Sequence, residues 1–67
     1  NPVKDLLTLQ GDAMRHVSVY SVLGVRLYDR DVHGSQVEMD MSSFPEGLYI
    51  LNILTDEGMK TMKVMKR

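Results

Sequence analysis

Residues 47–66, GLYILNILTDEGMKTMKVMK, carry the clearest structural signal in the chain. Residues 48–53 are apolar at nearly every position, which is typical of a central strand covered on both faces. In the segment 55–58, Asp56 can hydrogen-bond its own backbone and Gly58 can adopt a left-handed conformation, so this segment predicts a hairpin loop. We therefore expect the chain to turn back here and to pair residues 59–67 with the central strand.

Glycines divide the whole chain into apolar segments. They lie 10 to 13 residues apart, close to the turn spacing of about 8 to 12 residues in β-sandwiches and barrels. Between them, residues 17–20, 25–28 and 37–41 alternate apolar and polar side chains, as half-buried strands do. The pattern predicts an all-β fold with turns at the glycines, and residues 3–10 as a less regular edge strand. The five glycines are Gly11, Gly24, Gly34, Gly47 and Gly58.

Two further turns follow from residue type. Gly24 lies between two alternating runs, which predicts a hairpin with a positive φ at this glycine. In the segment 44–47, Pro45 supplies φ near −65° for the second position of a type I turn and Gly47 suits the fourth. We expect a tight turn immediately before the central strand.

Length and composition restrict the classes of protein. The chain has 67 residues, no cysteine and a formal net charge of −1. A domain of about 60 residues has a thin core, and without cysteine there are no disulfides or thiolate metal sites. The charge disfavours a nucleic-acid binder, and no apolar run reaches the roughly 20 residues that span a bilayer. Because the chain begins Asn1-Pro2, with no initiator methionine and no charged or apolar signal-peptide region, we interpret residues 1–67 as one domain cut from a longer polypeptide.

Catalytic and metal chemistry find little support in the sequence. His16 and His33 lie in different segments, with no cysteine or glutamate at metal-ligand spacing, and isolated histidines in such folds are usually surface residues. Residues 29–31 read as a loop with a surface ion pair. No Gly-x-Ser-x-Gly motif is present. The sequence predicts no enzyme, no cofactor and no metal site.

The last segment is ambiguous by periodicity. Met59, Met62 and Met65 recur every three residues, as in an amphipathic helix that lies on a membrane or in a groove. Its length of about nine residues falls short of the roughly 12 to 15 that an isolated helix needs. As a strand it has mixed faces, since Met62 and Val64 share one face with two lysines. Lysines on an exposed strand also protect against edge-to-edge aggregation, so their charge alone does not establish recognition.

Four features occur in order along the chain. They are NPVxDxL at residues 1–7, VxVYxxxG at 17–24, MDMSSFPEGLY at 39–49 and a lysine-bearing terminal strand. Together they cover essentially the whole chain, which resembles the C-terminal sorting domain of type IX secretion cargo proteins. The sequence departs from that family at Ser21, where asparagine or aspartate is common.

The resemblance implies a small immunoglobulin-like antiparallel β-sandwich that acts as a transport address and not as a catalyst. In that family the cargo folds in the periplasm and is recognised through this domain by the outer-membrane type IX translocon and its shuttle protein. A surface sortase then often removes the domain and attaches the cargo. The implied localisation is the periplasm in transit, then the cell surface or the extracellular space.

The resemblance also implies roles for particular residues. A terminal edge strand offers backbone groups for strand addition, and basic side chains add complementary charge. We expect the translocon to recognise Lys60, Lys63, Val64, Met65, Lys66 and Arg67. We expect a structural motif at Gly24, Pro45, Gly47, Leu48 and Tyr49, with the tyrosine ring buried and its hydroxyl at a partner or at the surface.

A second class of function stays open at this point. The chain is also compatible with a generic terminal β-sandwich module for adhesion or carbohydrate binding. Open strand edges and a hydrophobic content of 43% are further compatible with a homodimer formed by edge-strand pairing.

Overall fold

The fold consists of strands and connecting turns. A computed structural model describes residues 2–3 and 5–67 of the chain. The all-β prediction is confirmed in this part of the chain. The strands are β1 (Pro2–Val3), β2 (Leu6–Ser21), β3 (Arg26–Asp40), β4 (Gly47–Thr55) and β5 (Gly58–Lys66).

All five strands belong to one sheet, in the order β1-β5-β4-β2-β3. The β2–β3, β2–β4 and β4–β5 pairs are antiparallel, and β1 runs parallel to β5. The sheet curves into an open half-barrel. The antiparallel arrangement is therefore confirmed for these three pairs, whereas a two-sheet immunoglobulin-like sandwich is not.

The half-barrel owes its curvature to irregular pairing in β2. The register of β2 against β3 shifts between Gln10 and Met14 and again between Met14 and His16. Extra residues in one strand bend it and increase its local twist, so a strand can turn a corner without ending. The predicted turns at Gly11 and Gly34 are wrong for this reason, because both glycines lie inside long, bent strands.

The core is a single cluster on the concave side of the sheet. Leu7 and Leu9 are buried at odd positions of β2, Met14 at an even one, and Val17 and Val19 again at odd ones. The two register shifts account for this change of face. Since both halves of β2 contribute to one cluster, the bend folds the first half over the face of β4 and β5. The cluster consists of Leu7, Leu9, Met14, Val17, Val19, Met39, Met41, Tyr49, Leu51, Ile53 and Val64.

The central position predicted for residues 48–53 is confirmed, because β4 pairs with β2 on one side and β5 on the other. Their predicted burial on both faces is wrong. Tyr49, Leu51 and Ile53 are buried, whereas Ile50 is half-buried and Leu54 is 39% exposed. A single sheet covers only its concave face, and no second layer lies on the convex face in the described chain.

Two other predicted strands differ at their boundaries. The sequence predicts one edge strand over residues 3–10, but Val3 ends β1 and β2 begins only at Leu6. In the segment 25–28, the strand begins at Arg26, and the apolar Leu27 is exposed while Tyr28 is half-buried. A register shift of β3 near this point turns Leu27 away from the core.

The β2–β3 hairpin has the predicted glycine geometry. Gly24 has φ 85°, and its N–H donates to the carbonyl of Ser21 at 2.9 Å. The Ser21 N–H donates to the carbonyl of Val25 at 2.9 Å, and the Ser21 hydroxyl oxygen accepts the Val25 N–H at 3.3 Å. Serine thus provides a side-chain acceptor at the start of this turn.

The turn before β4 lies earlier than predicted. The Phe44 N–H donates to the carbonyl of Met41 at 3.0 Å, whereas the described backbone of residues 44–47 makes no equivalent bond. The Asp40 carboxylate accepts the N–H of Ser42 at 2.9 Å, which favours a turn at this earlier position. Hydrogen bonds from the side chain and backbone of Ser42 hold the pKa of Asp40 below its ordinary value.

The predicted β4–β5 hairpin loop is confirmed, but a different side chain stabilises it. The Thr55 hydroxyl donates to the carbonyl of Gly58 at 2.9 Å and accepts the N–H of Glu57 at 3.1 Å. Asp56 does not hydrogen-bond its own backbone as expected, because its carboxylate pairs with Arg15 of β2.

Candidate functional site

The terminal segment predicted to be recognised is a strand. β5 pairs with β4 along its whole length, from Thr55 opposite Gly58 to Gly47 opposite Lys66. The strand alternative is confirmed and the helix alternative is wrong. Pairing with β4 satisfies the backbone of this segment, which a helix of about nine residues would do poorly on its own.

The two faces of β5 are mixed, as predicted for a strand. On the concave side, Val64 is buried and Met62 is half-buried, and the side chain of Lys66 is also enclosed at 7% exposure. The Lys66 ammonium donates to the carbonyl of Arg67 at 3.0 Å, which compensates part of the cost of enclosing a charge. Lys60 lies on this same side but at the hairpin end, where it is exposed.

The convex side of β5 is exposed and combines apolar and basic groups. Met59 is 61% exposed, Met65 is 43% exposed, and Lys63 is also exposed. Between them, the Thr61 hydroxyl donates to the Asn52 amide oxygen at 2.9 Å. A partner approaching this face meets thioethers and one outward ammonium group.

The outer edge of β5 is partly covered. β1 pairs with its end in parallel, with Pro2 opposite Met65 and Val3 opposite Lys66. Next to residues 61–64 no further strand lies in the part of the chain that the structure describes. The accessible backbone edge therefore includes residues 61–64, whereas Met65 and Lys66 pair with β1.

The start of β4, residues 47–49, lies between this strand and the turn before β4 and is called the GLY motif after its sequence. Tyr49 is 4% exposed, lies opposite Val64 of β5, and donates its hydroxyl proton to the carbonyl of Pro45 at 2.5 Å. Its ring centroid is 5.4 Å from that of Phe44, at an interplanar angle of 38°. Gly47 has φ 150°, a conformation that L side chains rarely adopt. The structure thus brings Gly47, Leu48 and Tyr49 together with the terminal strand. Gly24 lies in the β2–β3 turn, which adjoins this segment because Ser21 pairs with Tyr49.

The whole chain, residues 1–67, matches the family model described as the secretion system C-terminal sorting domain. The chain belongs to this family. Comparisons with curated proteins and with solved structures found no match. The family match confirms the predicted resemblance, and with it the function of a sorting signal for type IX secretion.

Family membership also defines the general setting of the sorting domain. It implies interaction with the type IX secretion machinery and export to the cell surface or the extracellular space. It describes a sorting tag and not a catalytic domain. The alternative of a generic adhesion or carbohydrate-binding module gains no support from the match.

The sorting domain contains a polar cluster that the sequence did not predict. The ring of His16 in β2 lies between two carboxylates of β3, with Nδ1 at 2.6 Å from Asp31 and Nε2 bonded to Asp29. The Ser18 hydroxyl donates to Asp29 at 3.0 Å, and Arg26 pairs with Asp29 at 3.3 Å. The interpretation of residues 29–31 as a loop is wrong, and so is that of His16 as an isolated histidine.

This cluster has clear electrostatic consequences. The hydrogen bonds to Asp31 and to Asp29 raise the pKa of His16 above its ordinary value. The His16 ring and the Ser18 hydroxyl hold the pKa of Asp29 below its ordinary value. Only the cross-strand register, with His16 opposite Asp31 and Ser18 opposite Asp29, could have revealed the cluster beforehand. That register depends on bulges whose positions the residue pattern does not indicate.

Among the described residues, no group of three or more histidine, aspartate or glutamate side chains is placed to hold a metal ion. The described part of the chain likewise contains no helix that is long and apolar enough to cross a membrane.

Proposed function

We propose that the type IX translocon recognises this sorting domain by adding a strand to the outer edge of β5. The observation that supports this most directly is the regularity of β5. Its register against β4 runs without a shift from Gly58 to Lys66, so its backbone groups are evenly spaced for a partner strand.

The outer strand at the opposite side of the sheet, β3, is a poorer template for strand addition. The register of β3 shifts near Gly34 and again near Arg26, and Gly34 itself has φ 115°. Bulges and positive φ interrupt the row of backbone groups that a partner strand would need, and they are common devices of edge protection. This asymmetry favours β5 as the docking edge.

The recognition residues predicted from the family then divide by position. Lys63 and Arg67 are exposed and suited to direct contact, and Lys60 lies close by at the exposed hairpin end. Val64 anchors the strand in the core, while Met65 and Lys66 pair with β1. We assign this second group to holding β5 in place. The roles of Pro45, Gly47, Leu48 and Tyr49 are assigned likewise to positioning β4 beside it.

The remaining family properties are proposed for this chain by analogy. Residues 1–67 act as one sorting domain of a larger cargo and are not an enzyme. The cargo passes through the periplasm, meets the outer-membrane translocon and its shuttle protein, and is delivered to the surface, where a sortase removes the domain and attaches the cargo. A homodimer by edge pairing would occupy the same β5 edge, so it would compete with recognition.

We also propose that the half-barrel corresponds to the immunoglobulin-like sandwich of the family. Leu7 and Met39 lie on the folded-over half of the β2–β3 hairpin, yet they share one core cluster with Leu51 and Val64 of the other half. Two faces that meet across one core resemble the two layers of a sandwich. The long bent strands would then connect the layers.

Reporter export tests the proposed docking edge. Fusions of residues 1–67 to a periplasmic reporter, expressed in a host with type IX machinery, would carry Lys63→Glu or Arg30→Glu. Both substitutions reverse one exposed charge, that of Lys63 on β5 or that of Arg30 on β3. We expect Lys63→Glu to lower export of the reporter, because Lys63 supplies charge toward the partner, and Arg30→Glu to export it at the parental level.

The controls establish that both variants fold. Exposed charge substitutions usually change stability by no more than about 0.5 kcal/mol, so thermal melts of both domains should match the parent. Equal export of both fusions would contradict recognition through β5. Deletion of residues 63–67 is a weaker test, because it also removes the buried Val64 from the core.

A further inference from the structure

The His16 cluster lies at the bend of the half-barrel. His16 follows the register shift of β2 after Met14, which occurs against both β3 and β4. On β3, the shift falls between Asp31, opposite His16, and Gly34, opposite Met14. The cluster therefore connects the two strands at the point where both depart from regular pairing.

The hydrogen bonds of the ring define its protonation state. An ionised carboxylate only accepts hydrogen bonds, and a neutral imidazole has one N–H donor and one acceptor nitrogen. Both ring nitrogens of His16 face carboxylate oxygens, one of Asp31 and one of Asp29. Only the imidazolium, in which both nitrogens donate, satisfies the two contacts at once.

We propose that His16, Asp29 and Asp31 form a proton-dependent clamp that holds β2 against β3 at the bend of the half-barrel. The clamp is a property of the fold that goes beyond the sorting signal. The clamp joins β2 and β3 and includes no residue of β5, so the test of the clamp does not depend on the proposed docking edge.

The groups around the ring favour this assignment. On β4 the residue opposite His16 is Leu54, which carries no charge. The neighbouring Arg15 is engaged in its own ion pair with Asp56, and Arg30 alternates to the other face of β3. Two carboxylates, of Asp29 and Asp31, therefore contact the ring directly, and Arg26 contacts Asp29. Arg15 and Arg30 are the charged neighbours in sequence.

The two aspartates differ in how firmly they are held. The side chain of Asp31 is 90% exposed, whereas that of Asp29 is 35% exposed and also bonds Ser18 and Arg26. When the ring loses a proton, one nitrogen becomes an acceptor and can no longer face a carboxylate. Asp31 can turn into water at little cost, so Nδ1 loses the proton and Nε2 continues to donate to Asp29.

The sign of the pH dependence follows from the two pKa shifts. The pKa of His16 is raised in the folded domain, so the protonated ring stabilises the fold. This stabilisation is complete below about pH 6.5, the pKa of histidine in the unfolded chain, and is lost as pH rises through the folded pKa. The pKa of Asp29 is lowered in the folded domain, so its ionised carboxylate stabilises the fold. This stabilisation is complete above about pH 3.9, the pKa of aspartate in the unfolded chain, and is lost as pH falls through the folded pKa. The clamp is strongest between these limits.

Nuclear magnetic resonance of the 67-residue chain tests the clamp. Long-range ¹H–¹⁵N spectra of the imidazoles, recorded across the pH range, report the proton on each ring nitrogen. We expect His16 to titrate above pH 6.5, with Nδ1 losing its proton and Nε2 keeping it. Amide exchange at Asp31, corrected for its intrinsic pH dependence, should then accelerate. A ring that titrates at or below its ordinary pKa, or that keeps the proton on Nδ1, would overturn the proposal.

Matched variants separate the clamp from general effects of pH. The parent domain should lose thermal stability as pH rises through the folded pKa of His16, and His16→Gln should not show this loss. His33→Gln should show the same loss as the parent, because His33 makes no side-chain hydrogen bond among those described. The same alkaline loss in both variants would refute the clamp. If His16→Gln does not fold, Asp31→Asn serves instead and should lower the midpoint of the His16 titration. An unchanged midpoint would count against the clamp.

Discussion

Replacement of Tyr49 by phenylalanine tests whether the GLY motif, residues 47–49, stabilises the fold through the hydroxyl of Tyr49. The substitution keeps the buried ring beside Phe44 and removes only the hydroxyl that donates to Pro45. A hydrogen bond of this kind contributes about 0.5 to 1.5 kcal/mol net. A domain of this size loses roughly 4 to 8 °C in melting temperature per kcal/mol, so we expect a decrease of several degrees.

Tyr20→Phe is the matched control for this experiment. Tyr20 is half-buried in β2, and its hydroxyl makes no hydrogen bond among those described. Its removal should change the free energy of unfolding by no more than about 0.5 kcal/mol. Calorimetry of both domains measures the difference, and urea titration with an unchanged m-value confirms that it arises from stability.

Export distinguishes a structural role from direct recognition. Because the Tyr49 hydroxyl points at Pro45 inside the domain, the Tyr49→Phe fusion should reach the surface normally at temperatures well below its melting point. A variant as stable as Tyr20→Phe would show that the hydrogen bond contributes nothing. A stable variant that is no longer exported would show instead that the translocon contacts the hydroxyl.

Three further pairs of substitutions test the fold. Leu51→Ala should destabilise by about 2 to 5 kcal/mol, since Leu51 is fully buried, whereas Leu54→Ala on the other face of β4 should have a much smaller effect; urea titration measures both. Gly24→Ala should destabilise the domain by roughly 1 to 3 kcal/mol because Gly24 has φ 85°. Gly11→Ala should be neutral or slightly stabilising, because Gly11 has open space around it and no positive φ. Thermal melts measure both. Thr55→Val should lower the free energy of unfolding by about 1 to 3 kcal/mol, because two hydrogen bonds are lost. Thr55→Ser keeps the hydroxyl and should retain most of the stability of the parent. Equal losses in the two variants would contradict the role of that hydroxyl.

The part of the fold that the sequence predicts well is local. The apolar run of β4 and the loop at residues 55–58 indicate two strands joined by a hairpin, and each signal lies within a few residues of the structure that it specifies. Gly24 is a similar case, because a hairpin turn requires its positive φ. These features depend on contacts close in sequence, which residue patterns record directly.

The features that escaped prediction depend on distant partners. Gly11 and Gly34 look like turn residues, but the strands continue through them because β2 and β3 pair over their whole length with shifts in register. The pairing of β1 with Lys66 joins the two ends of the chain, and no local pattern indicates it. The same is true of His16 and Asp29, whose contact follows from that shifted register. Long-range pairing is set by the summed energy of the sheet and not by the type of any one residue.

The mixed faces of β5 become understandable if recognition runs mainly through its backbone. A strand that docked by its side chains would need one clean face for the core and another for the partner, and Lys66 enclosed beside the core departs from that arrangement. Strand addition needs only an accessible, regularly spaced edge, with affinity from main-chain hydrogen bonds and orientation from a few side chains. Val64 then holds the strand to the core and Lys63 supplies charge toward the partner, at adjacent positions on opposite faces. Substitutions along β5 should therefore affect stability and export in alternation, and loss of export at both kinds of position without loss of stability would argue for recognition by side chains alone.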